Sequence, residues 1–261
     1  MPYKEINSIK IHYKISGEGH PVVLIHGLSD DLKYWKYLNE YLKDYFKVIS
    51  IDLRGHGKSE EGREDYSIRL FADDIVNLLK ELSIAKTHII GFSLGGHVSL
   101  EIISNYPDIV NKVILISTSA RVTPDMEEGF KMLDISADKG FVEFFDYIIW
   151  HVLPEDILEE SKDQLEIQKM EMAKVKNING IRKSIKSHTE YDVFDGLNKI
   201  NKEVLIIYGE DDTIITQTAI DELVDNIRDS KLVTIKNTKH NVLLERNFDY
   251  VKGVIKDFLC D

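Results

Sequence analysis

Only one of the 261 residues is a cysteine, Cys260, so no intramolecular disulfide can form and nothing calls for an oxidising compartment. Basic charge is also short: 33 Lys and Arg stand against 45 Asp and Glu, a formal net charge of −12. Phosphate backbones and anionic lipid surfaces are bound by clustered Lys and Arg, so no nucleic-acid partner and no membrane-surface partner is expected. No apolar run approaches the ~20 residues of a membrane-spanning helix. Met1-Pro2-Tyr3-Lys4-Glu5 lacks the basic and then apolar order of a signal peptide, and a cytoplasmic location is expected. Internal repeats and low-complexity linkers are missing as well. What is present is a 43% hydrophobic chain, long enough for one large α/β domain with room for an inserted subdomain.

Ile9, Ile11, Tyr13 and Ile15 alternate with polar neighbours, the period of a half-buried strand, and pair with Tyr3 to Ile6 in a predicted hairpin turning at Asn7-Ser8. Four later runs, Pro21 to Ile25, Phe46 to Ile51, His88 to Ile90 and Val113 to Ile116, are apolar on both faces. Such strands sit mid-sheet under helices on each side. Between them lie helical patterns: Trp35, Leu38, Tyr41 and Leu42, then Phe71, Ile75, Leu78, Leu79 and Leu82, then Leu94 to Tyr106. Strands alternating with helices of this length predict βαβ units and a mostly parallel sheet. From Ser119 to about Lys199 the rhythm is helical only; strands return at Val204 to Ile207 and Leu232 to Ile235. The organisation predicted is an α/β core over 1–118 and 196–261, with a helical cap over 119–195 inserted after the sixth strand of about eight.

The chemistry centres on Ile89-Ile90-Gly91-Phe92-Ser93-Leu94-Gly95-Gly96, an apolar strand ending in a hydroxyl with glycines two positions before and after it. A serine on so tight a strand-to-helix turn needs neighbours without a Cβ. A serine hydroxyl is a poor nucleophile at neutral pH and requires a base and an acid to orient that base. In an open parallel sheet the ligand crevice lies beyond the carboxyl ends of the strands, so the partners should follow later strands. Glu210-Asp211-Asp212 follows one, and Lys239-His240-Asn241 follows the last. Of nine histidines, His240 alone has that placement; His26, His56 and His97 read as structural, and His12, His20, His88, His151 and His188 have no supporting context. No histidine pair has metal-ligand spacing, and no metal or other cofactor is expected. Asp52-Leu53-Arg54-Gly55-His56-Gly57 lacks the lysine and hydroxyl residue of a phosphate-binding loop, and reads as scaffolding with Asp52 and Arg54 paired.

With the serine turn, His26-Gly27, the 52–59 stretch and the two late loops in one order, the sequence resembles the α/β-hydrolase superfamily along nearly its whole length. Within it, the chain is similar to small esterases, 3-oxoadipate enol-lactonases and cofactor-free bromoperoxidase-like esterases. The resemblance implies a Ser93, Asp212, His240 triad: it places the acid three positions after Gly209, selecting Asp212 over Asp211. It also implies backbone N–H groups of Leu94 and Leu28 as oxyanion donors. The activity implied is acyl transfer to water from a small ester or lactone, by a monomer or homodimer. The same triad on other substrates, namely thioesters, C–C bonds or N-terminal amino acids, and a slow-turnover ligand receptor are the alternatives. Leu28, just after His26-Gly27, and Phe144 and Trp150 in the cap are the expected substrate contacts.

Overall fold

The computed structural model describes residues 2–261. Strands β1 (Tyr3–Ile6) and β2 (Ile9–Ser16) form the antiparallel hairpin, whose turn residues Asn7 and Ser8 both have positive φ, 47° and 64°. That pair of left-handed residues gives a two-residue turn the twist of the flanking strands. Then β3 (Pro21–Ile25), α1 (Lys36–Leu42), β4 (Lys47–Ile51), α2 (Ile68–Glu81), β5 (Thr87–Phe92), α3 (Leu94–Asn105) and β6 (Val110–Ile116) alternate. Five helices follow: α4 (Glu127–Lys139), α5 (Phe141–Val152), α6 (Glu155–Glu160), α7 (Lys162–Met172) and α8 (Ile178–Thr189). The alternation resumes with β7 (Val204–Gly209), α9 (Gln217–Asn226), β8 (Ser230–Ile235) and α10 (Glu245–Cys260).

All eight strands join one sheet in the order β1-β2-β4-β3-β5-β6-β7-β8, parallel throughout from β4 to β8 and antiparallel at the β1 and β2 end. The doubly apolar strands explain the layering, because alternate residues feed cores on opposite faces. Val23 and Ile25 of β3 join one core and Val22 and Leu24 the other; Ile206 and Ile207 of β7 divide the same way. Helices α1 and α10 cover one face through Leu38, Leu42, Val251 and Ile255. The other face receives α2, α3 and α9, through residues such as Phe71, Ile75, Val98 and Ile220. Helix α2 begins where Ser67 Oγ accepts the Leu70 N–H at 3.1 Å, a side-chain cap for an amide with no intrahelical acceptor.

The helices between β6 and β7 are continuous with that second core: Phe130, Leu133, Phe144, Ile181 and Ile185 belong to its cluster. Among the described residues no helix is long and apolar enough to cross a membrane. The scaffold stretch departs from expectation in its pairing. Asp52 does not meet Arg54; its carboxylate accepts from the amides of Leu32 at 2.7 Å and Lys58 at 2.8 Å and pairs with His12 Nδ1 at 2.7 Å. Arg54, fully buried, instead makes a two-point contact with Asp74 on α2, at 2.6 and 2.8 Å. Each therefore pairs with a residue distant in sequence, His12 on β2 and Asp74 on α2.

Candidate active site

Ser93 stands between β5 and α3 with φ 51° and ψ −113°, a backbone conformation uncommon for any residue with a Cβ. The turn is held by the Ser93 N–H donating to Ile116 O at 2.9 Å and by Thr118 Oγ1 donating to Ser93 O at 2.9 Å. Its tightness comes from how closely main chains approach. A Cβ on Gly91 would collide with the Gly95 carbonyl and Ser99 Oγ, and one on Gly95 with the Ile25 carbonyl. Backbone cannot yield as a flexible side-chain tip can, so these two positions take glycine.

The loops after β7 and β8 bring Asp212 and His240 together. Asp212 Oδ2 lies 2.8 Å from His240 Nδ1, while its Oδ1 accepts the amides of Ile214 at 2.9 Å and Ile215 at 3.1 Å. Both side chains are buried, whereas Asp211 is exposed. An ionised carboxylate only accepts, so the proton lies on Nδ1 and Nε2 is free as a base. Ser117 Oγ donates to the His240 carbonyl at 2.8 Å, and the Phe92 ring lies 5.1 Å from the imidazole, fixing the loop.

His240 and Ser93 line one cavity of about 180 Å³. No hydrogen bond joins Ser93 Oγ to His240 among the described residues; catalytic contacts of this kind are often loose before substrate binds. Leu28 also lines the cavity. Leu94 is the first residue of α3, and its N–H therefore has no intrahelical acceptor and sits at the positive end of the helix dipole. A larger open groove of about 700 Å³ between α4 and α8 is lined by charged side chains, among them Glu127, Lys131 and Arg182, and holds neither Ser93 nor His240.

Two expected contacts are corrected. Phe144 is 1% exposed and packs in the core, and Trp150 is 53% exposed with Lys239 over its ring; neither lines the cavity. Helix α5 turns Phe145, Ile148, Ile149 and Val152 to the cavity instead, the spacing of one helical face. Trp150 falls on the far side of that stripe. Its end of the helix is nevertheless tied to the loops carrying Asp212 and His240: Lys239 Nζ donates to Trp150 O at 2.8 Å, the Asn241 N–H to Val152 O at 3.2 Å, and His151 Nδ1 meets Thr213 Oγ1 at 2.7 Å.

Residues without a sequence signal complete the cavity. His188 from α8 lines it, and neither ring nitrogen has a hydrogen-bond partner among the described residues. Burial, with His97, His56 and His240 nearby, holds its pKa well below the ordinary value, so the ring is neutral. His97, one turn after Ser93, is buried against Ser119 Oγ at 3.0 Å, and burial depresses it to about 4. His26 and His56 are structural. Nδ1 of His26 donates to Gly27 O at 2.8 Å while its Nε2 accepts the Leu53 N–H at 3.1 Å, and burial holds His56 down to about 3. On the opposite side stand Asp30 and Tyr34, the tyrosine donating to Asn241 Oδ1 at 3.1 Å and stacked on Phe92 at 4.6 Å. Burial raises the Asp30 carboxyl to about 7. The run Leu28-Ser29-Asp30 after His26-Gly27 was the available signal for it. Among the described residues no group of three or more His, Cys, Asp or Glu converges as metal ligands.

The chain belongs to the α/β-hydrolase superfamily: the family model described as alpha/beta hydrolase fold matches residues 20–155, half of the chain. An uncharacterized protein of Mycobacterium tuberculosis is 33% identical over 135 residues, which are 52% of this chain and 39% of that protein's length. The (E)-2-((N-methylformamido)methylene)succinate hydrolase of Acinetobacter baylyi is 24% identical over 246 residues, 91% of this chain and 90% of that one. Among solved structures, the enol-lactonase from Burkholderia xenovorans LB400 superposes with a TM-score of 0.91 at 25% identity, over 100% of both chains.

Proposed function

We propose that the protein is a serine-dependent hydrolase of carboxylic esters or lactones. The observation that carries the proposal is the Asp212 to His240 hydrogen bond of 2.8 Å at a cavity that also holds the strained Ser93. Ser93 Oγ attacks the carbonyl carbon as His240 Nε2 takes its proton. The N–H groups of Leu28 and Leu94 hold the resulting oxyanion, each such donor contributing ~10²–10³ in turnover. Collapse breaks the bond to the leaving oxygen, which receives the proton from His240. A water then gives a proton to His240 and attacks the acyl carbon, releasing the acid and restoring Ser93. In this reading residues 119–195 act as a cap over a core of 1–118 and 196–261, and the side chains of α4 and α5 enclose a small-molecule substrate. The enol-lactonase and hydrolase names among its relatives support acyl chemistry on small molecules.

The test is hydrolysis of 4-nitrophenyl esters from acetate to decanoate, with fluorophosphonate labelling. Turnover and labelling at Ser93 are expected, both abolished by Ser93→Ala. Full activity in Ser93→Ala would refute the site, and an absence of both turnover and labelling would refute the reaction.

A further inference from the structure

The cavity around Ser93 contains one carboxylic acid, Asp30, and among the described residues no lysine or arginine lines it. Asp30 is two residues beyond Leu28, on a turn fixed by its own N–H donating to Gly27 O at 3.3 Å. No side-chain hydrogen bond reaches its carboxylate among the described residues, whereas its neighbour Asp31 is fully engaged. Asp31 caps the following turn through the Lys33 N–H at 2.9 Å and takes Lys176 Nζ at 3.3 Å. The nearest lysine is thus committed to Asp31, leaving two carboxylates for one ammonium. Tyr34 directs its proton to Asn241 Oδ1, so its phenol oxygen presents only lone pairs to the cavity. The Asp30 side of the cavity therefore offers the Asp30 carboxylate and the Tyr34 phenol oxygen as acceptors beside the Asn241 amide, facing apolar walls from Phe130, Leu133, Phe145 and Ile148. Half-buried there, the carboxylate is only partly compensated, by the Gly27 amide and by the charges of Lys176 and His240, and a cation or strong hydrogen-bond donor supplied by a ligand restores more of what it lost.

We infer that Asp30 is a specificity-determining residue that selects esters carrying a cationic group, an ammonium above all, and disfavours those carrying a carboxylate. The inference rests on the proposed esterase reaction and names its substrate class. The raised Asp30 carboxyl is consistent with it: burial pushes it up, Lys176 draws it down, Asp31 pushes it up, and His240 and the Gly27 amide draw it down. Selectivity for the cation accordingly strengthens as pH rises through about 7 and the carboxyl ionises. His240 faces the same cavity and governs all turnover, so the ratio between two substrates reports Asp30, while an absolute rate does not.

The experiment measures kcat/KM for isosteric pairs. Acetylthiocholine against 3,3-dimethylbutyl thioacetate places the charge on the leaving side. Phenyl 4-(trimethylammonio)butanoate against phenyl 5,5-dimethylhexanoate places it on the acyl side, with monophenyl adipate as the anionic case. At pH 8 at least one cationic ester should exceed its neutral isostere by about tenfold or more, the scale of a partly desolvated charge pair, and the adipate should fall below both neutral esters. Asp30→Asn and Asp30→Ser should bring the cation-to-neutral ratio to near one, with thermal melting confirming that each variant folds. Equal kcat/KM for charged and neutral esters in the native protein, or a preference that persists in both variants, overturns the role of Asp30. If no ester is cleaved and fluorophosphonate leaves Ser93 unlabelled, the proposed reaction itself has failed, and the Asp30 inference falls with it.

Discussion

Replacing Asp212 with asparagine isolates the tautomer of His240. The two amides of Ile214 and Ile215 both converge on Asp212 Oδ1, at 2.9 and 3.1 Å, and they will hold the asparagine carbonyl oxygen there. The new NH₂ group must then occupy the Oδ2 position, 2.8 Å from His240 Nδ1. A donor facing Nδ1 forces that nitrogen to accept, which moves the ring proton to Nε2 on the cavity side. A protonated Nε2 cannot take the proton of Ser93, so the main-chain amides that position the acid also lock the wrong tautomer in place. The expected loss is ~10⁴ in kcat, about 5 kcal/mol of transition-state stabilisation. Exposed Asp211 serves as the control, and Asp211→Asn should stay within about twofold, as a surface change away from the site does. Initial rates on 4-nitrophenyl acetate, with melting curves to show both variants folded, decide the matter. Activity of Asp212→Asn within tenfold of the native protein, or equal damage from Asp211→Asn, would refute the reasoning.

Arg54→Met should leave the buried Asp74 carboxylate with Asn7 Nδ2, at 2.7 Å, as its remaining side-chain donor, destabilising the fold by about 3–5 kcal/mol in urea titration. An unfolding midpoint unchanged from the native protein would count against that pairing. Acid should weaken the protein through its buried histidines. His56, His97 and His88 are held neutral by burial at about 3, 4 and 4, below the unfolded value of 6.5. Above 6.5 both states are neutral and nothing is lost; as pH falls from there, only the unfolded chain takes up the proton. Each group therefore removes about 1.4 kcal/mol per pH unit down to its folded pKa. Urea unfolding at pH 7.5 and 5 should show the decline, and a flat or rising stability would contradict it.

The sheet was legible because its information is local. Runs such as Val22 to Ile25 and Leu205 to Ile207 are apolar at every position, and only a doubly covered strand uses such a run. Positive φ at Asn7 and Ser8 likewise follows from a two-residue turn between alternating strands. The Ser93 turn could be located because its glycines are fixed by backbone collisions two residues to each side. What sequence could not provide was partnership at a distance. Asp52 and Arg54 look like a pair on paper, and the fold gives them to His12 and Asp74, 40 residues before Asp52 and 20 beyond Arg54. Helix α5 was legible as a helix, with Phe141, Phe144, Phe145 and Ile148 on one face, but the size of Trp150 suggests a substrate contact although helical spacing sets it beside Glu143 and Asp146. Which part of that apolar face meets the cavity and which part, such as Phe144, packs in the core is set by tertiary contacts.

Those contacts bear on how the site is held. The last turn of α5 bonds to Lys239 and Asn241 on either side of His240, and His151 bonds to Thr213 beside Asp212. The same helix supplies Phe145, Ile148 and Ile149 to the cavity wall. Wall and loops are therefore one mechanical unit joined by main-chain and side-chain hydrogen bonds, each contributing about 1 kcal/mol. A displacement of α5 large enough to admit a substrate through that wall must strain or break them, and it acts on the loops carrying both His240 and Asp212. The precision of the 2.8 Å contact between those two residues thus depends on a helix, α5, that carries neither of them nor Ser93.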